Sequence, residues 1–385
     1  MSDRIMRKIQ MVDLQTQYQH IKEDIDRGIQ SVIDSAAFVK GPAVTDFQHH
    51  LETYTGAKHV ISVGNGTDAL QIALMGLGLQ PGDEVITPTF TFIATAEVVA
   101  LLGLTPVVVD VDWETMNISA DAIRRAITPK TKAVVPVHLF GQCADMEEIM
   151  RIAKEHNLYV VEDACQAIGA QYTFADGHTA QAGTMGNIGC TSFFPSKNLG
   201  CYGDGGAVFT NDDELADRMR AIANHGMVVR YHHDRIGVNS RLDSIQAAVL
   251  DAKLPHLNEY IAARQHAAAY YDMAFAGNPH LLIPGREAHS THVFHQYTLR
   301  LAGVDRDCVR EELAQAGIPA MVYYPVPLHM QKAYQDPRYQ QGDFPVAERL
   351  AACVLSLPMH TEFDEEQLMY ITSTVKRIVE ESAKR

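Results

Sequence analysis

Between residues 59 and 212, short apolar β-branched runs alternate with amphipathic stretches, and this rhythm constrains the chain more than any other feature. His59–Val63, Glu84–Thr87, Pro106–Val111, Lys132–Val137, Leu158–Asp163, Gly189–Phe194 and Gly205–Thr210 read as strands. Several are continuously apolar, as strands covered on both faces must be. Helices fit between them at Asp68–Leu77, Phe92–Leu102, Asp121–Ile127 and Met146–His156, the last with Asp145 as cap and Glu148 as its partner. The pattern is that of an α/β protein with a mainly parallel sheet flanked by helices. A helix over Asp213–Asn224 should stop at Gly226. A long helical stretch from about Leu242 to Ala276 should lead into a smaller C-terminal unit. In the final helix, about Glu365–Ala383, the stripe Leu368, Ile371, Val375 and Ile378 reads as core.

Composition narrows the function. The formal charge of −15 argues against a nucleic-acid partner, which favours a basic face. A chain this acidic needs local cations or helix N-termini wherever it binds an anion. The six cysteines, at 143, 165, 190, 201, 308 and 353, form no CxxC pair and read as free thiols of a reducing compartment. The first residues carry no apolar signal core, and no 18-residue apolar run occurs, so the expectation is a cytoplasmic chain with no membrane partner. His49-His50 and His232-His233 do not suggest a metal, because adjacent residues face opposite ways and no matching ligand spacing accompanies them.

Three motifs converge on a phosphate and an aldehyde. Gly64-Asn65-Gly66-Thr67-Asp68 follows a strand and opens a helix, where glycines let the backbone approach an anion and the helix end supplies free N–H groups. A plain strand-to-helix turn has the same form. Neither a Walker A loop nor a full dinucleotide fingerprint is present. The strand ending Glu162-Asp163-Ala164-Cys165-Gln166 puts carboxylates at its carboxyl end, where open α/β sheets bind ligands. Asp163 there suits a protonated ring nitrogen; a helix cap or internal ion pair is the simpler alternative. Ser192-Phe193-Phe194-Pro195-Ser196-Lys197-Asn198-Leu199-Gly200 sets one lysine between an aromatic approach and a glycine-rich exit. An ordinary lysine, with a pKa of about 10.4, is protonated at neutral pH; held as an imine it is already reactive, and once displaced it is a base.

Together with Pro88-Thr89-Phe90-Thr91-Phe92 and Gly237-Val238-Asn239-Ser240-Arg241-Leu242, these motifs occur in an order that resembles the DegT/DnrJ/StrS-type sugar aminotransferases, over nearly the whole chain. The resemblance implies the aspartate-aminotransferase-like fold (fold type I). It implies a large pyridoxal 5′-phosphate (PLP) domain over 1–250 and a small α+β domain over 251–385, on which segment 1–40 packs. By the same resemblance, Lys197 carries the cofactor and Asp163 pairs with its pyridine nitrogen. Gln166 lies at the ring hydroxyl and Phe92 on the ring face. Gly66, Thr67 and Ser192 hold the phosphate, and Asn239 reaches it from the neighbouring subunit of a homodimer. Because position 197 is a lysine, where related dehydratases have histidine, the resemblance favours transamination. An amino donor, L-glutamate, would load the pyridoxamine form, and a keto-sugar nucleotide would take the amine.

The segment Tyr231 to Arg241 is similar to the branch acting on UDP-linked 3-keto-2-acetamido sugars, some of them uronic acids. Arg241 suits a carboxylate of donor or sugar, or alternatively an interface ion pair. Tyr324 and His329 are substrate-side candidates in the loop 322–329; the chain has Tyr323-Tyr324-Pro325 where the uronic-acid branch has His-Tyr-Pro. The alternatives are a 4-keto-sugar aminotransferase, a PLP lyase or desulfurase, and a non-catalytic sugar-nucleotide sensor. A desulfurase would need a cysteine in a mobile Gly/Ser-rich loop, and a nicotinamide dehydrogenase a full Rossmann fingerprint.

Overall fold

The computed structural model describes residues 7–385. Residues 1–6, part of the segment expected on the small domain, lie outside the described residues. The seven expected strands form one seven-stranded sheet: β1 (His59–Val63), β2 (Glu84–Pro88), β3 (Thr105–Val109), β4 (Thr131–Val134), β5 (Tyr159–Asp163), β6 (Ile188–Ser192) and β7 (Gly206–Thr210). Their order across the sheet is β1-β7-β6-β5-β4-β2-β3. β7 runs antiparallel to both neighbours and the other strands run parallel. The carboxyl ends of β1, β2, β4, β5 and β6 therefore share one edge of the sheet.

Both faces are covered. Helices Gly66–Leu77, Ala94–Leu101 and Asp213–Ile222 pack on one face through Ile72, Val98 and Met219. Pro42–Thr55, Ala120–Ala126, Met146–His156 and Ser244–Lys253 cover the other through Phe47, Ile123, Ile149 and Leu250. Burying one such side chain contributes roughly 1.5–3 kcal/mol, which explains why the strands between them are apolar on both sides.

A second core gathers on a three-stranded antiparallel sheet of β8 (Leu281–Leu282), β9 (Tyr297–Leu301) and β10 (Val354–Leu357). Leu257–Phe275, Arg306–Gln315 and Glu365–Ser382 pack against it, and Leu368, Ile371, Val375 and Ile378 are buried there as expected. Ile9 joins this core and Arg7 donates to Glu362 and Asp364, but the helix Lys22–Ser35, expected on the small domain with the rest of 1–40, packs instead through Ile25 on Val249 of the helix Ser244–Lys253.

Three local readings need correction. The long helix is two: Ser244–Lys253 and Leu257–Phe275, separated by a 3-10 turn at Leu254–His256, because Pro255 lacks an N–H and breaks the α ladder. Asp145 does cap Met146–His156, accepting from the Glu148 amide at 3.4 Å, but the Glu148 carboxylate turns away to Arg124 and Arg151. A complete reciprocal capping box occurs at Asp364 and Gln367. The helix after β1 begins at Gly66, two residues before the expected start, because Asn65 caps it by accepting from Asp68 N–H at 2.8 Å.

Candidate active site

A cavity of about 830 Å³ opens at the carboxyl edge of the large sheet. Gly66, Thr67, Phe92, Asp163, Gln166, Ser192, Lys197 and Tyr324 all line it, although they come from five separate stretches of sequence.

One end is built for an anion. Asn65 occupies the third N–H of the Gly66–Leu77 helix, which leaves the Gly66 and Thr67 N–H groups facing the cavity beside Ser192. A side chain at position 66 would come within 2.7 Å of Ser192 Cβ and 3.0 Å of Cys165 Sγ, so only glycine lets the backbone sit there.

β5 delivers two neighbouring carboxylates with opposite fates. Glu162 is fully buried and saturated: it accepts from Gly183, Met185 and Gly186 N–H and lies 2.8 Å from His138 Nε2. His138 Nδ1 accepts from Ala144 N–H, so the ring proton sits on Nε2 and points at Glu162. Asp163 is only 6% exposed and accepts from the Thr95 hydroxyl at 2.8 Å and the Cys165 amide at 3.3 Å. It has no ion-pair partner among the described residues, and a buried carboxylate of this kind calls for a cation in the cavity. The adjacent Cys165 thiol is pushed up by burial first and by Asp163 second, which keeps it protonated.

Gln166 is oriented by its neighbours. Its Oε1 accepts from Phe140 N–H at 2.8 Å, so its Nε2 donates to the Tyr324 hydroxyl at 3.0 Å. Burial raises the Tyr324 phenol, which stays protonated as a donor. Phe92 is half exposed at the mouth, tilted against Tyr324 at 6.3 Å.

Lys197 follows β6 on a tight loop, its N–H donating to Phe194 O at 2.8 Å. Burial pushes its amine below the ordinary lysine value, with Cys165 and Asp163 opposing the shift. His295, from the segment before β9, adds a buried imidazole held well below the usual histidine value by burial, then by Lys197 and Arg264.

The remaining candidates lie elsewhere. His329 does not line the cavity: its ring sits behind the sheet edge, 2.8 Å from Thr89 Oγ1 and 3.1 Å from Glu348. Asn239 and Arg241 are exposed on either side of the buried Ser240, whose hydroxyl donates to Asp68 and accepts from Gly64 N–H. His50 is taken by Asp251 and His233 by the His225 carbonyl. Among the described residues no group of three His, Cys, Asp or Glu side chains is placed to hold a metal.

The sequence did not single out Phe140, His295 or Tyr323 as cavity residues, nor Thr95 as the partner of Asp163. Thr95 is the second residue of the helix that follows Phe92 and was within reach of that motif. The role of Phe140 is a backbone N–H and leaves no trace in residue identity.

This sheet, with these groups at its edge, is that of a PLP-dependent transferase of fold type I. Residues 19–376 match the model of the DegT/DnrJ/EryC1/StrS aminotransferase family, and the chain belongs to that family, whose cofactor is PLP. It is 47% identical to UDP-2-acetamido-2-deoxy-3-oxo-D-glucuronate aminotransferase of Pseudomonas aeruginosa, over 95% of this chain and 99% of that one. It is 46% identical to a pleiotropic regulatory protein of Geobacillus stearothermophilus, over 95% of this chain and 97% of that one. Among solved structures, S. venezuelae DesV in complex with a ketimine intermediate superposes with a TM-score of 0.93 at 39% identity, covering 97% of this chain and 99% of that one. The chain is an aminotransferase.

Proposed function

We propose that this enzyme moves an amino group from L-glutamate to a UDP-linked 3-keto-2-acetamido sugar, for amino-sugar and surface-polysaccharide synthesis such as lipopolysaccharide. The observation that carries the reading is the joint placement, in one cavity, of a desolvated amine, a buried carboxylate without a cation and a free helix N-terminus. The sugar is taken from the named activity of the Pseudomonas relative.

These residues fit PLP. The Gly66 and Thr67 N–H groups and the Ser192 hydroxyl would hold the phosphate, and Asp163 would meet the ring nitrogen. Gln166 would lie at the ring hydroxyl and Phe92 on the ring face. When bound, the cofactor supplies an electron sink that stabilises a carbanion beside the amine. Lys197 would hold the cofactor covalently and then, as a free amine whose proton affinity burial lowers, move the proton between donor carbon and cofactor. Thr95 fixes the Asp163 carboxylate, which would then be held ready for the ring nitrogen. The Tyr324 hydroxyl, already accepting from Gln166, has its own proton left to give to a substrate oxygen. His329, tied to Thr89 and Glu348, would act only through the loop that carries Tyr324.

The reading includes a cytoplasmic homodimer in which Asn239 and Arg241 complete the neighbour's site. The apolar residues exposed nearby, Val228, Val229, Tyr231 and Ile236, support such an interface. The division into a 1–250 domain and a 251–385 domain is part of the same reading, supported by the separate C-terminal core. Among the described residues no helix is long and apolar enough to cross a membrane.

The test is product formation. Purified enzyme with L-glutamate is offered the UDP-linked 3-keto-2-acetamido sugar, its uronic acid counterpart and a 4-keto-sugar nucleotide, and products are read by mass spectrometry and NMR. Nitrogen at C3 of a UDP sugar supports the reading. Amination of the 4-keto substrate alone replaces it with the 4-aminotransferase alternative. Tight sugar-nucleotide binding with no turnover would favour the sensor reading suggested by the Geobacillus relative's name.

A further inference from the structure

Lys253 is buried to 1% exposure yet forms no ion pair among the described residues. A buried ammonium without a carboxylate costs several kcal/mol, and a methionine of similar length would fill the same space without that cost. Burial pushes its pKa down to about 8, against a smaller opposing effect of Cys201. What the amine does contact is specific. Nζ donates to the Gly200 carbonyl at 2.8 Å and sits 4.6 Å over the Tyr202 ring.

Gly200 closes the loop that begins at the Lys197 approach. Cys201 N–H returns to Phe193 O at 2.8 Å, and a side chain at position 200 would come within 2.4 Å of Pro195 O. The loop is thus a tight ring with no slack, and the position of one carbonyl fixes the rest. A second residue of the same helix, Gln246, takes both backbone groups of Tyr202, accepting from its N–H at 2.8 Å and donating to its carbonyl at 3.3 Å. On the opposite side Asn198 donates to Val293 O at 2.8 Å. The loop is held from both sides, and its rear grip is a single helix, Ser244–Lys253, that starts three residues after Arg241.

We propose that Lys253 is a positioning residue for the Lys197 amine: by gripping the Gly200 carbonyl, with Gln246 on Tyr202, it sets the 193–202 loop so that the Lys197 side chain enters the cavity. This rests on Lys197 being the residue that takes the cofactor. Lys253 itself does not line the cavity.

The test is the rate at which added PLP becomes lysine-bound in cofactor-stripped protein, read as growth of the visible band. Hydride trapping and peptide mapping then give the fraction on Lys197. Lys253→Met is compared with wild type and with Ile371→Ala, a cavity in the distant C-terminal core that lowers stability without touching the loop. The expectation is a rate about 10- to 100-fold lower in Lys253→Met, since small displacements of a reacting group cost that much, with part of the label on other lysines. Ile371→Ala should keep the wild-type rate. A Lys253→Met protein that folds and loads Lys197 at the wild-type rate overturns the proposal, as does an equal slowing in Ile371→Ala. Should Lys253→Met not fold, Gln246→Ala serves, with about threefold slowing expected on the same basis and an unchanged rate contradicting it. The wild-type band separates the two readings: its appearance tests Lys197, and the ratio of variant to wild type tests Lys253.

Discussion

The carboxyl edge of the large sheet and the C-terminal three-stranded sheet bury opposite things. At the large sheet's edge, Asp163, Lys197 and His295 are desolvated together without finished partners. In the C-terminal core, Tyr271, Phe275, Leu299, Ile371 and Val375 meet mainly each other, and the Tyr271 hydroxyl donates to the Pro358 carbonyl at 3.0 Å. The first region is organised for a ligand that completes its pairing, at the expense of stability. The second is a packed apolar core whose side chains complete one another. Even β5 draws this contrast within two residues, with Glu162 saturated by four donors and Asp163 left open on the cavity side.

If that contrast is right, substitutions in the two regions should separate activity from stability. The largest effect belongs to Lys197→Ala. Steady-state assays should show transamination reduced by about 10⁴-fold or more, the upper range for removing a positioned base, with a melting temperature no lower than wild type. Asp163→Asn comes next. It keeps shape and the Thr95 contact but removes the charge meant for the ring nitrogen, and kcat should fall by about 10²–10³-fold, the scale of deleting one preorganised electrostatic group. Denaturant melts should again show little change.

Ile371→Ala inverts the pattern. Urea unfolding should register a loss of about 2–5 kcal/mol, while kcat and KM at low temperature stay at wild-type values. A matching drop in kcat would mean that the two regions are not independent.

The C-terminal region also contains a pH-sensitive histidine. His360 is buried against Phe363, and burial, then Arg264, lowers its pKa to about 3. The unfolded chain binds this proton near pH 6.5 and the folded chain only near pH 3, so between these values the unfolded state carries more protons. Its contribution is complete above pH 6.5 and is lost as pH falls toward 3, by at most roughly 1.4 kcal/mol per pH unit. His360→Phe should flatten that part of the stability–pH curve; an unchanged slope would assign it to other groups. The smallest effect is that of Thr95→Val. Losing one hydroxyl on Asp163 should cost about 1 kcal/mol, seen as a rate several-fold lower with intact folding.

Much of this was legible in the chain before any coordinates. The strand rhythm located all seven strands of the large sheet to within three residues at each end, because strands buried on both faces announce themselves as apolar runs. Gly66, Asp163 and Lys197 were legible because each sits at or a few residues past the carboxyl end of a strand. The rest was not, because it depends on contacts distant in sequence. His329 looks like a substrate residue in its Pro-rich loop, but its ring is claimed by Thr89, 240 positions away. Lys253 reads as an ordinary last-turn lysine until the Gly200 carbonyl is found beside it. The break at Pro255 was visible in the letters, yet apolar periodicity on both sides of it suggested one continuous helix.

The most direct test of the central claim, that Lys197 takes the cofactor in this cavity, is the absorption spectrum of purified protein incubated with PLP, for wild type and Lys197→Ala, before and after L-glutamate. The account predicts a visible band for wild type that glutamate converts to the shorter-wavelength pyridoxamine form, and no such lysine-bound band for Lys197→Ala. An identical band in the alanine variant, or none in the wild type, would contradict it.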